Sequence, residues 1–218
     1  MARPEFDYLV RRVPRGRRLK VRIDAVNGLE VLLPAGAPMR AAAAAVAELA
    51  PWIERQLAVR EELRARLREP GVIPYLDERL ALIPQEGRAR VHRSGAALLV
   101  PAGEGAHAAI ERWYRRAARQ EIARRLDLAS EATAVPYTRL AIRNQRTRWA
   151  SCAGGTMSFN WRLLLAPERV LDYVVWHEVC HLEVADHSPR FWGLLESRLP
   201  EWREPARWLR ENGAALVL

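Results

Sequence analysis

Val174-Val175-Trp176-His177-Glu178-Val179-Cys180-His181-Leu182-Glu183-Val184-Ala185-Asp186-His187 holds three of the chain's 5 histidines. His177 and His181 are four residues apart, so on a helix both imidazoles leave the same face one turn apart and can meet one small ion. Glu178 follows the first of them, within reach of a water held by that ion. His187 comes six residues after His181, about 600° of helical rotation, and cannot share the face of a continuing helix. The helix is therefore expected to end near Val184 and the chain to turn back. Asp186 tolerates a left-handed turn, and Ser188-Pro189 reads as the N-cap and first position of a new helix. His177, His181 and His187 are thus the expected metal ligands, and Glu178 the expected catalytic carboxylate.

Outward from this stretch, Pro167 opens the metal helix, and Val170, Leu171, Val174, Val175 and Leu182 are expected to bury it. Before it, Met157, Phe159, Trp161 and Leu163 alternate with Ser158, Asn160 and Arg162, and Gly154-Gly155 marks a turn. The spacing predicts an antiparallel hairpin, residues 148–152 against 156–165, after a short strand, Leu140–Arg143. Downstream, 189–199 and 201–212 read as helices, the second ended by Gly213. Upstream, Ile110, Trp113, Tyr114, Ala117, Ala118, Ile122 and Leu126 form the apolar stripe of a helix over 104–129, with its arginines on the solvated side.

The first hundred residues show no chemical spacing. Residues 19–24 and 29–33 alternate around Asn27-Gly28, a hairpin signature. Met39–Ala50 is a helix, Pro51 opens another to about Arg68, and 79–83, 89–92 and 97–100 read as strands. His92 and His107 are lone histidines without partners in spacing. The fold class is α+β. N-terminal antiparallel strands with helices occupy 1–102, and 103–218 set an H-E-x-x-H helix beside an antiparallel hairpin. The break is placed at Pro101-Ala102-Gly103, with one continuous compact unit as the alternative.

The bulk composition constrains the setting. Half of the 218 residues are hydrophobic and 28% charged, as in globular proteins. No apolar run nears the roughly 18 residues of a membrane span. Residues 1–7 show no signal-peptide core, so a cytoplasmic location and no membrane partner are expected. Cys152 and Cys180 are then thiols. The net charge of +9 comes from arginine, Lys20 being the sole lysine. It favours anions in general without naming one.

Pro51-Trp52-Ile53-Glu54-Arg55, Arg112-Trp113-Tyr114, Arg146-Thr147-Arg148-Trp149-Ala150-Ser151-Cys152, Ser158-Phe159-Asn160-Trp161-Arg162-Leu163, His177-Glu178-Val179-Cys180-His181 and His187-Ser188-Pro189-Arg190-Phe191-Trp192 together resemble the YgjP-like metallopeptidase-type family, relatives of SprT-like zincins. The resemblance covers almost the whole chain. It implies a zincin-like fold of the mini-gluzincin type, Zn2+ on His177, His181 and His187, and Glu178 as the catalytic residue. At residue 150 the family usually has Gly where this chain has Ala, and alanine is commoner than Cys180 between the helix ligands.

The expected function is a zinc-dependent metallohydrolase, a metallopeptidase using a zinc-activated water with Glu178 as general base. Arg148 and Asn160 are candidates for steadying charge on the tetrahedral centre. A peptide or protein substrate would lie along the exposed sheet edge. One alternative is metal-dependent hydrolysis of a phosphoanhydride such as a nucleoside triphosphate. The other is a nucleic-acid-associated module in which Cys152 or Cys180 completes a structural zinc, although Cys180 is turned beside the helix ligands rather than toward their ion.

Overall fold

The computed structural model describes residues 6–14, 16–24, 28–67, 70–145 and 148–218. Asn27, Arg68, Arg146-Thr147 and residues 1–5, all used above, lie outside them. The fold is α+β, with six α-helices and three mixed or partly antiparallel sheets among the described residues. It divides into two compact units, Met1–Arg66 and Leu67–Leu216. No helix among the described residues is long and apolar enough to cross a membrane.

In the first unit, β1 (Tyr8–Val13), β2 (Lys20–Asp24) and β3 (Gly28–Pro34) form a sheet with β3 central. The expected β2–β3 hairpin is present, Val21 opposite Val31. β1 pairs β3 in parallel, so the sheet is mixed rather than antiparallel. Leu29, Val31 and Leu33 bury one face against Ala42 and Val46 of α1 (Met39–Glu48) and Ile53 of α2 (Ala50–Leu67). Arg12 reaches the carbonyls of Ala35 and Ala37 at 2.6 and 2.7 Å and so holds the β3–α1 turn.

The second unit begins with β4 (Val72–Tyr75), β5 (Glu78–Gln85), β6 (His92–Ser94) and β7 (Ala97–Pro101), in the order β4-β5-β7-β6. Their buried side chains, Tyr75, Leu80, Leu98 and Val100, share one core with α3 (Ala106–Thr133) and with Phe159, Trp161, Val170, Leu171 and Val175. The break expected at 102/103 therefore falls inside this unit. The turn at 101–105 leads from β7 straight into the helix that packs on it. α3 buries the expected stripe from Ile110 to Leu126.

One arginine of α3 departs from its solvated neighbours. Arg125 is buried and binds Glu121 on its own helix, and Asp172 at 2.7 Å and Glu168 on α4 (Glu168–Cys180). A guanidinium with carboxylates on three sides offsets its desolvation by hydrogen bonding in several directions. It thereby clamps α3 to the helix that carries the histidines.

β8 (Arg139–Arg143), β9 (Ala150–Ala153) and β10 (Thr156–Asn160) form the third sheet, ordered β8-β10-β9. The hairpin is the expected one: Ala153 faces Thr156 across Gly154-Gly155, both at positive φ as a two-residue turn requires. The strand expected to run to Leu165 stops at Asn160. There the Asn160 side chain accepts the Arg162 N–H at 3.1 Å and starts a 3-10 turn, Trp161–Leu165, with four buried apolar side chains. β8 joins β10 in parallel. α5 (Pro189–Arg198) and α6 (Arg203–Asn212) complete the unit. Gly213 ends α6 with φ −56°, not in the left-handed conformation. Glycine suits this position for another reason: a Cβ there would stand 2.9 Å from the Trp149 ring.

Candidate metal centre

α4 is anchored by Val170, Leu171, Val174, Val175 and Val179, all buried, which leaves His177 and His181 on the face turned toward the β9 hairpin. The helix ends at Cys180, earlier than expected. His181 is its C-cap but keeps helical angles, φ −69° and ψ −14°, so the one-turn spacing of the two imidazoles survives. The chain then reverses. Asp186 does not adopt the left-handed conformation expected of it. Instead its carboxylate accepts the Ser188 N–H at 3.1 Å, an Asx turn that delivers Ser188 and Pro189 to the start of α5.

This turn brings His187 onto the helix pair. Its Nε2 lies 3.0 Å from Nε2 of His177 and 3.2 Å from Nε2 of His181. His181 Nδ1 sits 3.0 Å from the Val184 carbonyl, which fixes the proton on Nδ1 and leaves a lone pair on Nε2. Protons alone do not satisfy this cluster. The central His187 Nε2 can donate to one neighbour at most, so the other contact sets like against like. A cation accepts all three lone pairs at once, and the three histidines are the only such donor group among the described residues. Burial, with some help from the neighbouring imidazoles, depresses His177 to about 4, so this ring is neutral and ready to ligate at pH 7. The donor set fits a divalent transition metal with a position left open.

Aromatic rings hold the three imidazoles in place. His181 stacks on Phe191 at 4.5 Å and His187 on Trp192 at 5.5 Å. Trp192 stacks in turn on Trp202, and Tyr173 meets His177 edge-on. In the sequence Phe191 and Trp192 stood out only as the end of the motif that begins at His187. Their place four and five residues after His187, across a helix start, was the available signal for this role.

Glu178 is buried against β9, where its carboxyl faces the Cys152 backbone N–H. In the hairpin register Cys152 faces Met157 as the pair next to the turn-closing one, so its amide points away from β10 and toward α4. Oε2 of Glu178 has no hydrogen-bond partner among the described residues. Burial pushes the carboxyl up to about 7, against smaller lowering by the Cys152 N–H and the Arg148 charge. A cavity of about 590 Å3 opens here, lined by Ala150–Gly155, the three histidines, Glu178, Leu182 and Ala185.

The other sequence candidates are placed differently. Arg148 is exposed, does not line the cavity, and acts on Glu178 through its charge. Asn160 is buried away from it, donating to the Gln145 carbonyl at 2.8 Å while capping the 3-10 turn. Cys152 lines the cavity and Cys180 is buried beside Phe191 and Leu195, where it accepts from Arg198 at 3.7 Å. Neither thiol belongs to the donor group.

The buried carboxyl has a measurable signature in metal-free protein. Folded, it holds its proton up to about pH 7, and unfolded only to about 4.5. Its contribution to stability is full below 4.5 and lost as pH rises through 7. Glu178→Gln stays neutral throughout. In chelator it should match the wild type at pH 4 and exceed it above pH 7 by up to about 3 kcal/mol. Denaturant titrations at the two pH values measure this, and equal stabilities at pH 8 would contradict it.

No curated protein matches the chain. A solved structure described as "Crystal structure of the metallopeptidase zymogen of Pyrococcus abyssi abylysin" is 23% identical over 41% of this chain and 93% of that one, with a TM-score of 0.37, too low to bear on the fold. The family described as "YgjP-like, metallopeptidase domain" matches residues 17–212. With so much of its length matched, the chain belongs to the YgjP-like family of metallopeptidase domains.

Proposed function

We propose that the second unit is a zincin-like metallopeptidase in which His177, His181 and His187 hold Zn2+ and Glu178 is the general base. The observation that carries this is the meeting of three Nε2 atoms beside a buried carboxyl on a cavity bordered by an edge strand. Three imidazoles with an open position suit zinc. When bound there, the cation supplies Lewis acidity to a scissile carbonyl and makes an attacking water easier to deprotonate. The protein does the rest. The Cys152 N–H holds the Glu178 carboxylate in one orientation, with Oε2 free to take a proton from a water in the cavity and pass it to the departing amine. The outer edge of β9, at Ala150, offers backbone pairing to an extended peptide. Arg148 steadies charge from the rim, and Asn160 positions the loop that leads to β9.

The test uses chelator-treated protein offered casein, unstructured peptides and nucleoside triphosphates. Peptide cleavage should be absent, and should return with equimolar Zn2+. Cleavage of the triphosphates in place of peptides would overturn the peptidase reading in favour of phosphoanhydride hydrolysis.

A further inference from the structure

β8 and β9 are the two edges of one sheet, and only β9 borders the metal. Along β8 runs a second cavity of about 520 Å3, walled on one side by Arg119 and Ala123 of α3 and on the other by residues 137–143. Arg119, Arg139 and Arg143 line it, and no carboxylate among the described residues does. Elsewhere in this unit Arg115, Arg125, Arg169, Arg198 and Arg203 each bind an acidic side chain. Arg139 and Arg143 bind none among the described residues, and Arg119 makes only a long 3.5 Å contact to the Leu140 carbonyl. Three guanidiniums gathered in one groove without a counter-charge are an anion site in waiting.

We propose that this groove docks an extended acidic peptide segment. Arg139 and Arg143 are four apart on one strand, hence on the same face and about 13 Å from each other. That distance matches carboxylates at the same spacing on an extended chain laid beside β8. An edge strand offers main-chain pairing to such a chain. A phosphodiester strand has no main-chain amides to pair along that edge, whereas an extended peptide does. If the second unit is a peptidase, the groove selects acidic substrates at a distance from the metal. This functional meaning rests on that reading; the binding itself does not.

The experiment measures fluorescence anisotropy of a labelled peptide of alternating Glu and Val, against one of alternating Gln and Val, on metal-depleted protein. The acidic peptide should bind at least about tenfold more tightly, and about 500 mM salt should abolish the difference. Arg139→Glu with Arg143→Glu should weaken it about tenfold or more. Arg207→Glu with Arg210→Glu makes the same charge change on exposed arginines of α6, which do not line the groove, and should alter it less than about twofold. Arg119→Gln, a milder change, should weaken it by a smaller factor, and circular dichroism confirms folding of all variants. Equal loss in the two double variants would reduce the effect to the general attraction of a +9 chain. Displacement of the peptide by an equally charged single-stranded oligonucleotide at lower concentration would make the groove a nucleic-acid surface. Either result overturns the proposal. Absence of turnover in the substrate panel would touch only the peptidase reading.

Discussion

Glu178→Gln is expected to keep its metal and lose its turnover, with kcat falling by about 10^2–10^4. The substitution is nearly isosteric and removes one capacity, that of taking up a proton. The amide oxygen can still face the Cys152 N–H, so β9 keeps its place beside α4. The three imidazoles are untouched, and metal content by elemental analysis should equal the wild type's. A drop of this size corresponds to about 3–5 kcal/mol of transition-state stabilisation, more than a rim charge such as Arg148 contributes in water. KM should move little, since in the proposed mechanism the carboxylate acts on the water rather than on substrate recognition. A variant that retained wild-type kcat with full metal would leave Glu178 as a buried structural acid and remove the general base from the mechanism.

How far the site was legible follows from what each residue needed. His177 and His181 needed only a helix, and a helix is written in its periodicity and in Pro167. His187 needed a reversal, and Ser188-Pro189 signalled the restart even though Asp186 achieves the turn by its side chain rather than by a left-handed backbone. The Cys152 N–H was not legible, because a backbone group reveals its direction only once strand register is known. Arg125 was hidden for a different reason. Among a helix's many arginines nothing local separates the one buried under α4 from those in water. The parallel pairs β1–β3 and β8–β10 join segments that are not neighbours in the chain, and alternation within a strand says nothing of its partner. Residues 161–165 continue the alternation of β10, so period two overran into a 3-10 turn that Asn160 enforces by capping.

His187→Ala should uncouple the metal from stability. A cation that binds only the folded chain stabilises it by about 4 kcal/mol when present at a thousand times its Kd. For a chain of this size that raises Tm by about 8–16 °C. The wild type should show this rise on adding Zn2+ to chelator-treated protein. His187 lies on the exposed turn between α4 and α5, and its removal opens no core cavity, so the metal-free variant should melt close to the metal-free wild type. Yet it should gain almost nothing from Zn2+, because the two helix histidines alone offer a pair of donors where three converged. His177→Ala is the less clean probe: that ring is half-buried against Tyr173 and Phe191, so its loss also weakens packing. Calorimetric titration and thermal melts on the same samples separate the two effects. If His187→Ala kept the full metal-induced rise, the cation would have to sit away from the three imidazoles. The turn that brings His187 back onto α4 would then need another explanation.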